Sequence, residues 1–546
     1  MRAMRQKRIV VAGGGNVGPH FVRALHTNQD AYVSSIPPMS DSGGSTGVLR
    51  KLGIQAAGDF RRYAEAHLQG DLKDTWAGIL AYRIPHHRSP KHTLTGKYLL
   101  RFVCHQVWGN QGWDRFQQIL LIGGETLGQV LAYRFPSNFS LEGHTGGNLL
   151  YFICEKVWGR QRGHRRFTEL LDIKGEVWPA SLEDTHLHAM LSNGIELVRE
   201  DQIDTRNPWD ATWISDVWLE PIPKAHIFAV EAIQNADAFV WSAGDALTSI
   251  APIRMVEGIL PALKSSSALV LAVINLMTKA AETPHWHAHD FIERMFVHGR
   301  EREKLDASLV NTGRIPRDVL ENYYKREHAE RVLYGEEDVA EMEKYSHHVI
   351  VGDFLSQKAL RQGLIRHDPE IVGDALMAFI RTHRKKRRAW IFDLDDTLAP
   401  VPRGSETLIT SAINIGFASG AQDVLRAKGS DAFLLTAGPP NLQRMKIEFL
   451  KLDEYIPEDQ IHIVPTHEEK RRVIQEVVED AGHPSLVVVV GDRLDVEIAF
   501  GNELGCTTVR VCLPGTLRSK EKPRAGQMPT HTITDLRELL DLSFPS

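Results

Sequence analysis

At 546 residues the chain is too long for a single hydrophobic core, and two to four domains are expected. Its 42% hydrophobic and 24% charged residues are ordinary globular values, and a net charge of -5 argues against nucleic acid as an obligatory partner. Four cysteines with no CxxC pair fit a reducing cytosol rather than a disulfide framework. The basic start MRAMRQKRIVVAGGGN mimics a signal peptide, but its apolar run from Ile9 to Ala12 is too short for one. No apolar stretch approaches the roughly 20 residues needed to span a bilayer. A soluble, cytoplasmic protein with no membrane partner is therefore expected.

Taken in order, Arg8 to Ala12 reads as a buried strand, followed by Gly13-Gly14-Gly15-Asn16-Val17-Gly18 and an amphipathic helix through about Leu25. Backbone N–H groups and a helix start at such a turn can bind phosphate, although a tight turn needs glycines even without a ligand. A second short strand, Tyr32 to Ile36, leads into Ser40-Asp41-Ser42-Gly43-Gly44-Ser45-Thr46-Gly47, and Gly58-Asp59-Phe60-Arg61 follows. Two Gly/Ser loops, each paired with an acid, suggest a cradle for a diphosphate or a metal diphosphate.

The stretches GGGNVG, SDSGGSTGVLR and AGDFR resemble the opening motifs of the 2-phospho-L-lactate transferase (CofD-like) and gluconeogenesis-factor family. The pattern continues through Gly143-His144-Thr145-Gly146-Gly147-Asn148, Ser242-Ala243-Gly244-Asp245, Asn275-Leu276-Met277-Thr278, Asn311-Thr312-Gly313-Arg314-Ile315-Pro316 and Arg366-His367-Asp368-Pro369. The likeness spans nearly all of residues 8 to 380, and its last two motifs favour the gluconeogenesis-factor branch. It implies a Rossmann-like fold over residues 1–383 that binds a nucleotide diphosphate compound, a UDP-sugar or a GDP derivative. The binding residues it implies are Gly13, Gly14, Gly15, Asn16, Asp41, Ser42, Gly43, Gly44, Ser45, Asp59, His144, Asn148, Gly244, Asn275 and Thr278. Three positions depart from the family pattern. Ser42 stands where an acid is usual, Asp245 replaces a serine, and Arg62 replaces an asparagine after Asp59. Fewer acids in the cradle weaken transferase chemistry more than binding.

Within this region Leu80-Ala81-Tyr82-Arg83-Ile84-Pro85 recurs as Leu131-Ala132-Tyr133-Arg134-Phe135-Pro136, and each copy precedes an apolar helix-like run. This reads as a tandem duplication of one helical unit over about residues 76–160. Only the second copy carries His144 and Asn148; the first has Leu94 and Tyr98 in register, so the first copy is expected to be structural. Cys104 and Cys154 match and should pack. His285-Trp286-His287-Ala288-His289-Asp290 alternates as metal ligands do, but with no matching Cys/His group nearby it reads as a solvated loop opening a helix. His186 and His188, on a strand, read the same way.

The basic run 384–388 is expected to be a linker. Beyond it, Ala389-Trp390-Ile391-Phe392 is a buried strand ending in Asp393-Leu394-Asp395-Asp396-Thr397. Residues two apart on a strand point the same way, so Asp393 and Asp395 can converge on one site. One carboxylate can attack phosphorus while the other moves the leaving-group proton, and Mg²⁺ would balance the charge. Thr436 ends a second apolar strand, Lys470 opens a helix, and Leu486 to Val490 leads into Gly491-Asp492. This ordered set resembles the haloacid dehalogenase (HAD) superfamily of phosphatases, over residues 389–546. The resemblance makes Asp393 the nucleophile, Asp395 the general acid/base, and Thr436 and Lys470 the phosphate holders. Asp492 would join Asp393 and Asp395 at the metal. Glu497 stands where many relatives carry an aspartate, with Asp495 close enough to compensate. The intervals from Thr397 to Thr436 and from Thr436 to Lys470 are too short for a cap.

The expected fold is thus α/β: two Rossmann-like three-layer α/β/α domains with mostly parallel sheets, the second of HAD type without a cap. The expected function is an Mg²⁺-dependent phosphatase acting on a phosphomonoester, fused to a domain that binds, or transfers from, a nucleotide diphosphate compound. The alternative is a nucleotide-sugar sensor whose first domain is non-catalytic and controls the phosphatase or a partner. A homo-oligomer is left open.

Overall fold

A computed structural model describes residues 6–85, 94–122, 124–137, 139–207, 209–210, 212–297, 304–383, 388–401, 415–481, 483–516, 518 and 520–542. The chain divides into two compact units, Met1–His383 and Arg384–Ser546. Of the basic run 384–388, only Arg388 lies among the described residues. No helix among them is long and apolar enough to cross a membrane.

The larger unit contains strands β1 (Lys7–Ala12), β2 (Ala31–Ile36), β3 (Glu176–Val177), β4 (His186–Leu191), β5 (Glu196–Leu197), β6 (Ile214–Glu220), β7 (Ala238–Trp241), β8 (Leu269–Val273), β9 (Leu305–Asn311) and β10 (Ser346–Gly352). Seven of them form one parallel sheet in the order β10-β9-β8-β7-β1-β2-β3. Strand residues alternate between two cores. Val11, Val33, Val240, Leu271 and Leu309 pack beneath the helices Val17–Leu25, Ala57–Ala66 and Pro369–Thr382. Val10, Phe239, Trp241 and Ala272 pack beneath Ile227–Gln234 and Ile259–Ser265 on the other face. Both faces are covered, which is why these strands read as unbroken apolar runs. Strands β4 to β6 form a separate antiparallel sheet in the order β5-β4-β6. In the parallel sheet the strand order reverses between β1 and β7. Loops leaving the carboxyl ends of those two strands diverge to opposite faces and open a crevice where ligands bind in such folds.

The duplicated segments form the helix pairs Lys73–Ala81 with Gly96–Trp108 and Gly124–Ala132 with Gly146–Trp158. Their connections are exchanged. Ile84 N–H donates to His144 O and Gly146 N–H to Tyr82 O, each at 2.9 Å. The mirror contacts are Phe135 N–H to Leu94 O and Gly96 N–H to Tyr133 O, also at 2.9 Å. Thr95 and Thr145 cap the two long helices by accepting from Tyr98 N–H and Asn148 N–H. The exchange brings backbones together at two glycines. A Cβ on Gly96 would stand 1.8 Å from Val130 O, and one on Gly146 would stand 2.3 Å from Ile79 O.

The smaller unit is one parallel sheet of β11 (Ala389–Phe392), β12 (Ala432–Ala437), β13 (Ile461–Val464), β14 (Val487–Gly491), β15 (Thr507–Val511) and β16 (His531–Ile533). Its order is β13-β12-β11-β14-β15-β16, with β11 near the centre. Trp390, Phe392, Leu434 and Val490 face one core, while Ile391, Leu435 and Val489 face another beneath Lys470–Ala481. Among the described residues no domain is inserted before Thr436 or between Thr436 and Lys470; residues 402–414 lie outside them.

Glycine substitutions test the exchanged hairpins. Gly96→Ala should lower stability by roughly 1–3 kcal/mol or more, because its carbonyl neighbour is backbone and cannot turn away. Gly128→Ala, inside a helix with nothing within 4 Å of the new methyl, should raise it by about 0.5–1 kcal/mol. Thermal melts of the full chain compare the two. A neutral Gly96→Ala would show that the close approach is loose.

Candidate active and binding sites

In the smaller unit, Asp393 follows the last residue of β11, and its N–H donates to Val490 O at 3.0 Å. Lys470, the first residue of its helix and only 1% exposed, donates to Asp393 Oδ1 at 2.6 Å and to Glu497 Oε1 at 2.5 Å. Burial pushes the Asp393 carboxyl well above the usual carboxylate range, against the pull of Lys470 and with the charges of Glu497, Asp492 and Asp395 adding to it. Asp492 is pushed up to about 7 by burial and by Glu497. Burial pulls the Lys470 ammonium down, but Asp393 and Glu497 outweigh it and hold it above its ordinary value. The Thr436 and Thr397 hydroxyls and Glu497 Oε2 are buried without hydrogen-bond partners among the described residues. Orphaned hydroxyls beside a buried lysine can donate to an incoming phosphate, whereas the Glu497 oxygen is an acceptor and cannot.

Three features here escape local sequence reading. Asp395 is engaged by Lys446, at 2.6 and 2.8 Å, and by Gln443 Nε2 at 3.0 Å, both on the helix Pro440–Leu450. Their three-residue spacing on one helical face was the available signal. Asp495 does not stand in for the missing aspartate. Its side chain is 56% exposed and pairs with Arg493 at 2.8 Å, whereas Glu497 is the acid turned onto Lys470. Gly491 admits it: a Cβ there would lie 2.6 Å from Glu497 Cβ.

In the larger unit the motif loops gather at the carboxyl ends of β1, β2, β7 and β8. Gly13 and Gly15 adopt positive φ, and a Cβ on Gly14 would meet Asp59 Oδ2 at 2.8 Å. Gly15 N–H donates to Asp59 Oδ1 at 2.9 Å, and Arg62 reaches the same oxygen at 2.6 Å. Asn275 Nδ2 donates to Gly244 O at 2.8 Å, while Gly244 lies close against Gly14 O. Asp41 packs against Gly58 and accepts from Gly43 N–H at 2.9 Å. Arg50 fixes that loop through the carbonyls of Ser40 and Asp41, both at 3.1 Å. Ser45 Oγ joins His144 Nδ1 at 2.8 Å and accepts from Asn148 Nδ2 at 3.0 Å, so these three form one buried group. Burial, with the Arg83 charge, lowers His144 to about 4, and its imidazole is neutral at pH 7. Asn16 is exposed at the start of its helix, and the Thr278 hydroxyl accepts from Glu330 N–H at 2.9 Å, holding the loop rather than adding to the buried group. A cavity of about 1000 Å³ opens elsewhere, beside Arg8, Tyr32, Ser34, Glu176 and Trp178, and includes none of the glycine loops.

Two of the three departures from the family pattern, Ser42 and Asp245, have distant partners, while Arg62 pairs with Asp59 on its own helix. Ser42 accepts from Asp201 N–H at 3.0 Å, and its own N–H donates to Glu200 Oε2 at 3.2 Å. Glu200, which no local pattern singles out, is pushed up to about 8 by burial and by the charge of Asp41. It brings an acid beside the very position that lacks one. Asp245 pairs with Lys279 at 2.9 Å, which also holds Glu282 at 2.9 Å and Asp204.

Residues 9–355 match the family model described as 2-phospho-L-lactate transferase CofD. The chain belongs to this family. Residues 470–539 match a HAD-hydrolase-like model, and the C-terminal unit is a HAD-like hydrolase domain. The CofD-like unit is 27% identical over 375 residues to a putative gluconeogenesis factor of Thermoanaerobacterium thermosulfurigenes, covering 68% of this chain and 97% of that protein. It is 26% identical over 383 residues to the gluconeogenesis factor of Listeria monocytogenes, covering 70% and 98%. A crystal structure of a UPF0052 family member from Bacillus halodurans superposes with a TM-score of 0.53 at 26% identity, covering 68% of this chain and all of that one.

Asp59 gives a pH-dependent test of the CofD-like crevice. Burial lifts its carboxyl to about 6, with Arg62 opposing and Asp41 adding. That value stands above the roughly 3.9 of an unfolded aspartate, so the folded chain holds the extra proton between them. Stability from this group is full below about pH 4, is lost as the pH rises through 6, and stays lost above. Asp59→Asn, which keeps an acceptor for Gly15, should therefore stabilise the unit by up to about 3 kcal/mol at pH 8 and by little at pH 4. Denaturant unfolding at both pH values checks this; equal effects would mean that Arg62 fully offsets the buried charge.

Proposed function

We propose that the HAD-like unit hydrolyses a phosphomonoester, with Asp393 as nucleophile and Asp395 as proton carrier, and that the CofD-like unit holds a nucleotide diphosphate compound at its glycine loops. The observation supporting the first part is the buried Asp393–Lys470–Glu497 group beyond β11, with Asp492 alongside. An Asp393 oxygen bonds to phosphorus as the phosphorus–ester oxygen bond breaks. The departing oxygen keeps the electron pair and takes a proton from Asp395. Water then attacks the aspartyl phosphate and gives its proton to Asp395, and phosphate leaves with Asp393 restored. Lys470 and the Thr436 hydroxyl would hold the phosphoryl oxygens throughout.

The donor set of Asp393 and Asp492 is hard oxygen, and burial concentrates more acid there than Lys470 balances, which fits Mg²⁺. Those two residues would hold the ion, which supplies charge neutralisation for the phosphate. Asp395, expected as a third ligand, has its carboxylate engaged by Lys446 and Gln443, which compete with a metal for it. In the CofD-like unit, the backbone N–H groups of the β1 and β2 loops would take the diphosphate, a UDP-sugar or GDP derivative, with Ser45, His144 and Asn148 beside it. The sensor reading shares this ligand and differs in leaving it unconsumed.

Asp393→Asn should reduce phosphate release from a small phosphomonoester by at least about 10³-fold while leaving the fold intact. Full activity in that variant would remove Asp393 from the mechanism. Calorimetry with UDP-sugars and GDP derivatives, in Mg²⁺, should find one site per chain that weakens at least about tenfold in Asn148→Ala. Absence of binding by both classes would reject the nucleotide reading.

A further inference from the structure

The alternating histidines at 285–289 lack a partner in local sequence, but the fold supplies one. His287 and His289 stand at the start of the helix Ala288–Ile292, and Asp338 lies in the helix Glu336–Glu343. His289 Nδ1 is 2.6 Å from Asp338 Oδ1, and His287 Nδ1 is 3.4 Å from the same oxygen. One ligand atom from each of the three falls within 4.8 Å of the others. His287 also caps its helix, its side chain accepting from Asp290 N–H.

The surroundings are those that orient metal ligands. The Asp338 side chain is 7% exposed, and its second oxygen accepts from Gly335 N–H at 2.8 Å, which aims the first at the histidines. The other ring nitrogen of His289 lies 4.0 Å from Asp290 Oδ2. That carboxylate is fixed in turn by His287 N–H at 2.8 Å and by Arg294 at 3.2 Å. At 4.0 Å this carboxylate is an ionic neighbour of His289 and not a hydrogen-bond acceptor for it. The contrast with Asp204, Asp245 and Glu282 is instructive. Those acids also converge, but the Lys279 ammonium sits among them. At Asp338 the ionic partners among the described residues are the two histidines.

We propose that His287, His289 and Asp338 form a binding site for a divalent transition metal of the Zn²⁺ class. Two imidazole nitrogens and one carboxylate oxygen suit such a borderline ion, and the 43% exposure of His287 leaves room for water as a fourth ligand. The ion would staple two segments that are already bonded around the β8 loop. Thr278 N–H donates to Glu330 O at 2.7 Å, Val332 N–H to Leu276 O at 3.0 Å and Ala288 N–H to Leu333 O at 3.0 Å. Its place is therefore structural: it pins the loop that carries Asn275 and Thr278, whether or not a nucleotide binds there.

The full chain, stripped with chelator and dialysed against Zn²⁺ in excess Mg²⁺, is assayed for metal by elemental analysis, and with Co²⁺ in place of Zn²⁺ by visible absorption. Wild type should retain one Zn²⁺ more per chain than His287→Ala, His289→Gln or Asp338→Asn, and each variant should bind at least about tenfold more weakly. Zn²⁺ should raise the unfolding midpoint of wild type and not of the variants. Asp492→Asn, in the HAD-like unit, should keep this ion. Equal zinc in wild type and all three variants, or loss of the extra ion in Asp492→Asn, would overturn the site. His287 is exposed, so His287→Ala decides the matter even where a buried variant fails to fold.

Discussion

Both units are organised by one electrostatic constraint. Parallel strands send their carboxyl ends to the same edge, and the loops that leave them crowd acids into a poorly solvated space. Buried like charges need a counter-ion within hydrogen-bond reach. In the HAD-like unit Lys470 serves Asp393 and Glu497, and in the CofD-like unit Lys279 serves Asp245, Glu282 and Asp204. The two lysines leave different remainders. Around Lys279 the acids are held by one another's partners, with Glu282 also accepting from the Thr248 hydroxyl and the backbone of Leu247 and Thr248. Around Lys470, one oxygen of Glu497 has no hydrogen-bond partner among the described residues, and burial with the charge of Glu497 pushes Asp492 up to about 7, a remainder that the proposed metal would complete.

The departures of the CofD-like unit from its family pattern look different once tertiary partners are counted. A serine at position 42 removes an acid from the loop, but Glu200 comes in beside it from far along the chain. An aspartate at 245 adds charge where the pattern has none, and Lys279 neutralises it. Arg62 in place of an asparagine anchors Asp59 rather than leaving it to the ligand alone. Glu200 and Lys279 thus redistribute the partners of the acids around these loops.

What could be read in advance followed periodicity. The apolar runs at Arg8 to Ala12, Tyr32 to Ile36, Ala389 to Phe392 and Phe433 to Leu435 are strands, and Lys470 opens a helix. The glycine loops and the Asp393 motif fell at strand ends, where local spacing alone locates them. What could not be read depended on orientation or distance. Asp495 and Glu497 lie two residues apart on a helical turn, which sends their side chains to roughly opposite sides. Near in sequence, they could not exchange roles. Glu200 and Asp338 each reach their partners from another element with no local pattern to mark them, and the spacing of Gln443 and Lys446 shows only that they share a helix face.

The duplicated helices show how a copy without site residues still serves the site. His144 is held from both sides: its imidazole meets Ser45, and its carbonyl accepts from Ile84 N–H of the first copy. Gly146, two residues on, donates to Tyr82 O of that copy and fits only because it lacks a side chain. The first copy carries Leu94 and Tyr98 in the corresponding places, one buried and the other stacked on Phe102 at 5.9 Å, so it offers no second polar group. Because the connections are exchanged, neither helix pair closes its own entry loop. The backbone at His144 and Gly146 is therefore held by residues of the copy that lacks the site residues. Loosening the first copy should reach the second glycine loop through His144 and Ser45, whereas the turn at Gly13 to Gly15 is held by contacts with Asp59 and Gly244 instead.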